Sequence, residues 1–156
     1  LEKSCAIAQG FMETLSFALT LSGSIRREMA AILQEKAETV HAIRWGAAHR
    51  MAAQLCQHFE PICARLRARD MGCDSIVDKL LAILDVPADD NNPSGHNMVR
   101  LELAVINDTG VPIINFTNKF EGDGFLAPEV YDAWLQLVDH TNDVIGKNGQ
   151  PLIPTV

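Results

Sequence analysis

Apolar residues recur at every third or fourth position through the first 86 residues, and at every second position from Val99 to Val105. A helix repeats its faces every 3.6 residues and a strand every two, so this change of rhythm constrains the fold more than any other feature. Between the two rhythms lies Val86-Pro87-Ala88-Asp89-Asp90-Asn91-Asn92-Pro93-Ser94-Gly95-His96, built almost wholly of turn and loop formers. The pattern predicts an α+β chain: an antiparallel helical bundle over residues 1–86, a mobile polar loop over 87–97, and an acidic β-hairpin-plus-helix unit over 98–156.

Within the bundle, a first helix is expected over 4–21, capped by Ser4, with Ile7, Phe11, Leu15 and Ala18 inward. Ser22-Gly23-Ser24 breaks it, and Ser24 opens a second helix with the stripe Ile25, Met29, Ile32, Val40, Ile43, Ala47, Met51 and Leu55. The one gap is Lys36, and Pro61 is expected to stop the helix, which would then reach about 50 Å. A short helix over 62–69 follows. Ser75 and Asp78 have capping-box spacing and open a fourth, with Ile76, Leu80, Leu81 and Leu84 inward.

In the C-terminal part, residues 99–106 read as a strand and Asn107-Asp108-Thr109-Gly110 as a turn. Residues 111–116 read as a second strand, held to a sheet edge by Pro112. A helix from Pro128 to Ile145, burying Val130, Trp134, Leu137, Val138, Thr141 and Ile145, is expected to cover the hairpin. An extended tail then runs over 151–156.

Residues 1–86 balance ten Lys/Arg with ten Asp/Glu, whereas 87–156 carry three against ten, the whole formal charge of −7. Such a half is repelled by nucleic-acid phosphates and anionic lipid, and any charged partner is expected to be basic. No apolar run approaches the roughly 18 residues of a membrane span, and no secretion pattern opens the chain. Cys5, Cys56, Cys63 and Cys73 are sparse and mostly inside helical patterns, so free, buried or half-buried thiols and a cytoplasmic location are expected. Leu1 in place of Met leads to the expectation of a domain from a longer protein.

Four groups have residue types that carry chemistry. Glu35 and Glu38 share a face of the second helix and Asp74 and Asp78 a face of the fourth; opposed carboxylates of this kind hold metal ions in bundles. Arg65, Arg67 and Arg69, with Arg50 nearby, are candidates for binding a phosphate or carboxylate, although residues two apart on a helix diverge. His41, His49, His58, Cys56 and Cys63 lack zinc-ligand spacing. Glu121-Gly122-Asp123-Gly124 lacks the spaced acids of a calcium loop. No nucleophile elbow, phosphate loop or dinucleotide fingerprint is present.

The expectation is a non-enzymatic interaction or assembly module without a cofactor, homodimeric through the long helix and presenting an acidic partner surface. One alternative is a small metal-dependent hydrolase using Glu35, Glu38, Asp74 and Asp78. The other is an accessory domain of a nucleic-acid-processing protein, contacting DNA through Arg65, Arg67 and Arg69.

Overall fold

The computed structural model describes residues 5–40, 45–69, 73–90, 92–121 and 127–145. Six helices lie among them: α1 (Ala6–Leu21), α2 (Gly23–Leu33), α3 (Trp45–Ala68), α4 (Asp74–Leu84), α5 (Gly95–Glu121) and α6 (Ala127–Ile145). The chain packs as two compact units, Leu1–Asp108 and Thr109–Val156.

No strand exists among the described residues, so the expected α+β architecture is corrected to an all-helical one. The segment read as strand, turn and strand is the body of α5. Its buried positions are Val99, Glu102, Leu103 and Ile106, spaced by three and four, while Leu101 and Val105 are exposed. Six of the eight residues 99–106 are apolar, and Ala104 and Ile106 fill positions between the odd-numbered valines and leucines, so both periods can be read in it. The period is settled by which residues meet the core. Pro112 lies inside the helix and removes the N–H that would bond the Asp108 carbonyl, close to the division between the units.

The long second helix is corrected as well. Gln34 adopts a left-handed conformation (φ 56°, ψ 20°) that ends α2, and residues 35–40 run non-helically toward α3. Side chains satisfy this backbone. Ser16 Oγ accepts the Val40 N–H at 2.8 Å, and Gln54 Oε1 accepts the Glu38 N–H at 2.9 Å. Gln54 Nε2 donates to the Lys36 carbonyl at 3.0 Å. The stripe continues across the reversal because α2 and α3 each turn one face to the same core, where Ile25, Met29, Met51 and Leu55 are buried. His41 and Ile43 lie outside the described residues.

The expected break before Pro61 is present: non-helical angles at His58 (φ −122°, ψ 21°) divide α3 into two helical segments, as a proline ring imposes on the turn before it. Phe59, Ile62, Cys63 and Leu66 are buried beyond the kink. Phe59 meets Phe11 edge to face, ring centroids 6.3 Å apart.

The caps differ too. Ser22, not Ser24, caps α2: its Oγ accepts the Ile25 N–H at 3.3 Å, and the two serine hydroxyls pair at 2.8 Å. Cys73 precedes α4 without a side-chain cap, and Asp78 pairs with Arg69 instead of Ser75. Ser4 lies outside the described residues. Among the described residues, the Glu102 carboxylate accepts the Ala8 N–H in the first turn of α1 at 2.7 Å.

In the second unit, α6 begins one residue before Pro128 and runs to Ile145, as its periodicity predicts. Of its expected buried side, Leu137 and Val138 are half-buried, while Trp134 is 51% exposed, with its ring 5.9 Å from that of Phe116; Ala133 is buried, and the side chains of Val130, Thr141 and Ile145 lie outside the described ones. The tail over 151–156 lies outside the described residues.

Candidate functional site

The expected carboxylate cluster is not assembled. Glu35 and Glu38 sit on the non-helical connection rather than on a helix. Glu35 accepts from Gln54 Nε2 at 2.7 Å, and Glu38 lies 3.4 Å from Arg50. Asp78 pairs with Arg69, and Asp74 is exposed in the first turn of α4. Among the described residues, no three His, Cys, Asp or Glu side chains converge on a possible metal position.

The three arginines do not share a pocket either. Arg65 pairs with Glu28 at 2.8 Å, Arg67 with Asp85 at 3.3 Å, and Arg69 with Asp78. Each guanidinium diverges to a different carboxylate of the helical unit, as positions two apart on a helix require. Exposed pairs of this kind contribute about 0–1 kcal/mol each.

The histidines are scattered. His49 Nε2 lies 3.1 Å from the Asn107 carbonyl. His96 Nε2 lies 3.3 Å from Glu60, its ring tilted over Phe59 at 5.0 Å. None of the four thiols is in a disulfide. Burial raises the Cys56 thiol above its ordinary value, the Asp108 carboxylate adding to the effect, and burial pushes Cys63 up to about 11. Thiolate is the reactive form, so both are poor nucleophiles at neutral pH. A disulfide-exchange reagent should therefore label exposed Cys73 first, half-buried Cys56 slowly, and Cys5 and Cys63 only on unfolding. Rapid labelling of Cys63 in the native protein would contradict this packing.

What the fold does assemble is an apolar groove of about 480 Å³ in the first unit. One wall is the start of α1, with Ile7 and Gly10; the opposite wall is the end of α4, with Ala82 and Ile83. The loop residues Val86, Pro87 and Pro93 and the α5 residue Met98 close it, and Asp89 is its one charged lining residue. The chain matches no known family model, curated protein or solved structure.

The loop that shapes the groove is built rather than loose. Asp89 Oδ1 accepts the Asn92 N–H at 2.8 Å, and the Asp89 N–H returns to the Asn92 carbonyl at 3.0 Å. The Gly95 N–H bonds the Val86 carbonyl at 2.8 Å, closing the base. Ser94 then opens α5, its Oγ accepting the Asn97 N–H at 3.4 Å.

Gly10 forms the floor. It lies in the middle of α1, where glycine costs about 1 kcal/mol relative to alanine. Nothing in the packing calls for it, because a Cβ at this position would meet no atom within 4 Å. Gly10→Ala should therefore stabilise the fold by about 1 kcal/mol in chemical denaturation. A destabilised variant would show the space to be filled in solution.

Sequence reasoning missed the groove, although one signal was present: a glycine inside an otherwise regular apolar helix. It also missed buried Glu102, for which the sequence carries no local sign.

Proposed function

We propose that this chain is a non-enzymatic interaction module that seats apolar side chains of a partner protein in the groove between α1, α4 and α5. The observation behind the proposal is the open floor at Gly10, where a stabilising methyl is forgone beside a half-open apolar hollow. A volume of about 480 Å³ lies within the 300–1,000 Å³ typical of binding sites. The lining supplies contact surface and one hydrogen-bonded carboxylate, but no nucleophile. Of the stripe that suggested a dimer, Ile25, Met29, Met51 and Leu55 are buried in the chain's own core and Ile32 and Val40 are partly buried against it, so the groove is the better candidate for association.

Selection of random displayed peptides against the whole chain tests this. Enriched peptides should lose at least about tenfold in affinity, about 1.4 kcal/mol, for the Gly10→Leu variant, whose added side chain occupies the hollow. The variant should keep its helical circular dichroism, since the position is open. Enriched peptides that bind both proteins equally would place recognition elsewhere and refute the proposal.

A further inference from the structure

We propose, resting on the groove reading, that the occupant is an amphipathic helix of a partner protein with lysine or arginine beside its apolar face.

The shape of the surface argues for a helix. From Gly10, the positions Thr14, Phe17 and Leu21 follow at spacings of four, three and four, so they form one line down α1. Phe17 is 56% and Leu21 61% exposed, unusually open for side chains of that size. The line runs about 16 Å from the groove floor toward the end of α1. A second helix laid along it would seat apolar residues at matching three- and four-residue spacings. The other common mode, adding a strand to a sheet edge, has no edge to use, because there is no strand among the described residues.

The charge of the surface argues for a cationic partner. The elements that build it, α1, α4 and residues 85–94, contain Glu13, Asp74, Asp78, Asp85, Asp89 and Asp90 against one cation, Lys79, and Asp78 is answered by Arg69. Asp85 is answered by Arg67 from α3. Glu13 and Asp90 are exposed, and Asp89 lines the groove. A partner with cations flanking its apolar stripe complements this field, and an acidic one is repelled. The same field disfavours a second copy. A second copy would bring the same acidic side chains, Glu13, Asp89 and Asp90, to the interface from both sides.

The probes are two synthetic helical peptides of about 20 residues. Both carry leucine at three- and four-residue spacing, and they differ only in lysine or glutamate beside that stripe. Binding is read by fluorescence anisotropy and by amide shifts of the ¹⁵N-labelled protein. The lysine peptide should bind at least about tenfold tighter than the glutamate one, with weakening affinity as salt rises. Shifts should centre on Ile7, Gly10, Phe17 and Ile83. Glu13→Gln combined with Asp90→Asn should weaken the lysine peptide about fivefold, and Gly10→Leu should abolish binding of both peptides.

Equal affinity for the two peptides, lost on Gly10→Leu, would overturn the cationic partner and leave the groove reading standing. If neither peptide binds and sedimentation shows a dimer that Gly10→Leu dissolves, the occupant is a second copy and the partner proposal fails. Binding of the lysine peptide that survives Gly10→Leu, or no binding with a monomeric protein, would overturn both.

Discussion

Gly95→Ala should be among the most damaging single-methyl changes in this protein, lowering stability by about 3 kcal/mol. A Cβ at residue 95 would fall 2.0 Å from the Ile83 carbonyl oxygen and 3.1 Å from the Val86 Cβ. The first of these is a backbone atom near the end of α4, so relief requires moving the helix or the loop rather than rotating a side chain. Gly95 also donates its N–H to Val86 at 2.8 Å, so both sides of the close approach are pinned. For a domain of this size, about 3 kcal/mol corresponds to a fall in Tm of about 10 °C. Gly23→Ala is the control, since a Cβ there meets nothing within 4 Å. Thermal melts that show the two variants alike would mean that α4 and α5 do not approach as described. The same change should impair peptide binding, because the α4–α5 junction shapes one end of the groove.

Glu102→Ala should cost a similar amount, about 3 kcal/mol, through loss of a charge-assisted hydrogen bond and an uncapped N–H. Glu102 is 7% exposed on α5, and its carboxylate accepts the Ala8 N–H at 2.7 Å. Ala8 lies in the first turn of α1, whose Cys5 N-cap offers no side-chain bond. A helix start leaves its first N–H groups without intrahelical partners and carries partial positive charge, so a carboxylate from another helix satisfies both needs. Glu102→Gln keeps an acceptor oxygen and loses the charge, and should cost about 1 kcal/mol. Denaturant unfolding measures both variants, and amide exchange at Ala8 and its neighbours should quicken selectively in Glu102→Ala. A Glu102→Ala protein within about 0.5 kcal/mol of the parent would show that the tie between α5 and α1 contributes nothing.

Where the sequence was legible, a single period was enforced over many residues. Of the inward set Ile7, Phe11, Leu15 and Ala18, all but exposed Ile7 are buried as the spacing predicts, and of Ile76, Leu80, Leu81 and Leu84 all but half-buried Leu81 are. The extent of α6 was legible because a first-turn proline and a regular stripe agreed. Lys36 interrupted the apparent long stripe, and the helix ends two residues before it, at Gln34. A charged residue at a core position was thus a break signal, not a side chain lying along an apolar face. Segment 99–106 had no such signal. With valine or leucine at nearly every odd position and Ala104 and Ile106 between, it satisfied both periods. Glu102, a polar residue expected to face solvent, is one of the buried ones.

By itself, the order of residues established the helical periodicity of α1, α2, α3 and α4, the turn-forming loop before α5 and the uneven acidity of the chain. The tertiary structure alone made 95–121 helical, reversed the chain after Leu33, turned Glu102 inward onto α1 and opened the groove at Gly10. Hydrophobic spacing specifies which face of an element can be buried. It does not specify what that face will meet. Where a run can be read in both periods, only its neighbours in the folded core choose between the available faces.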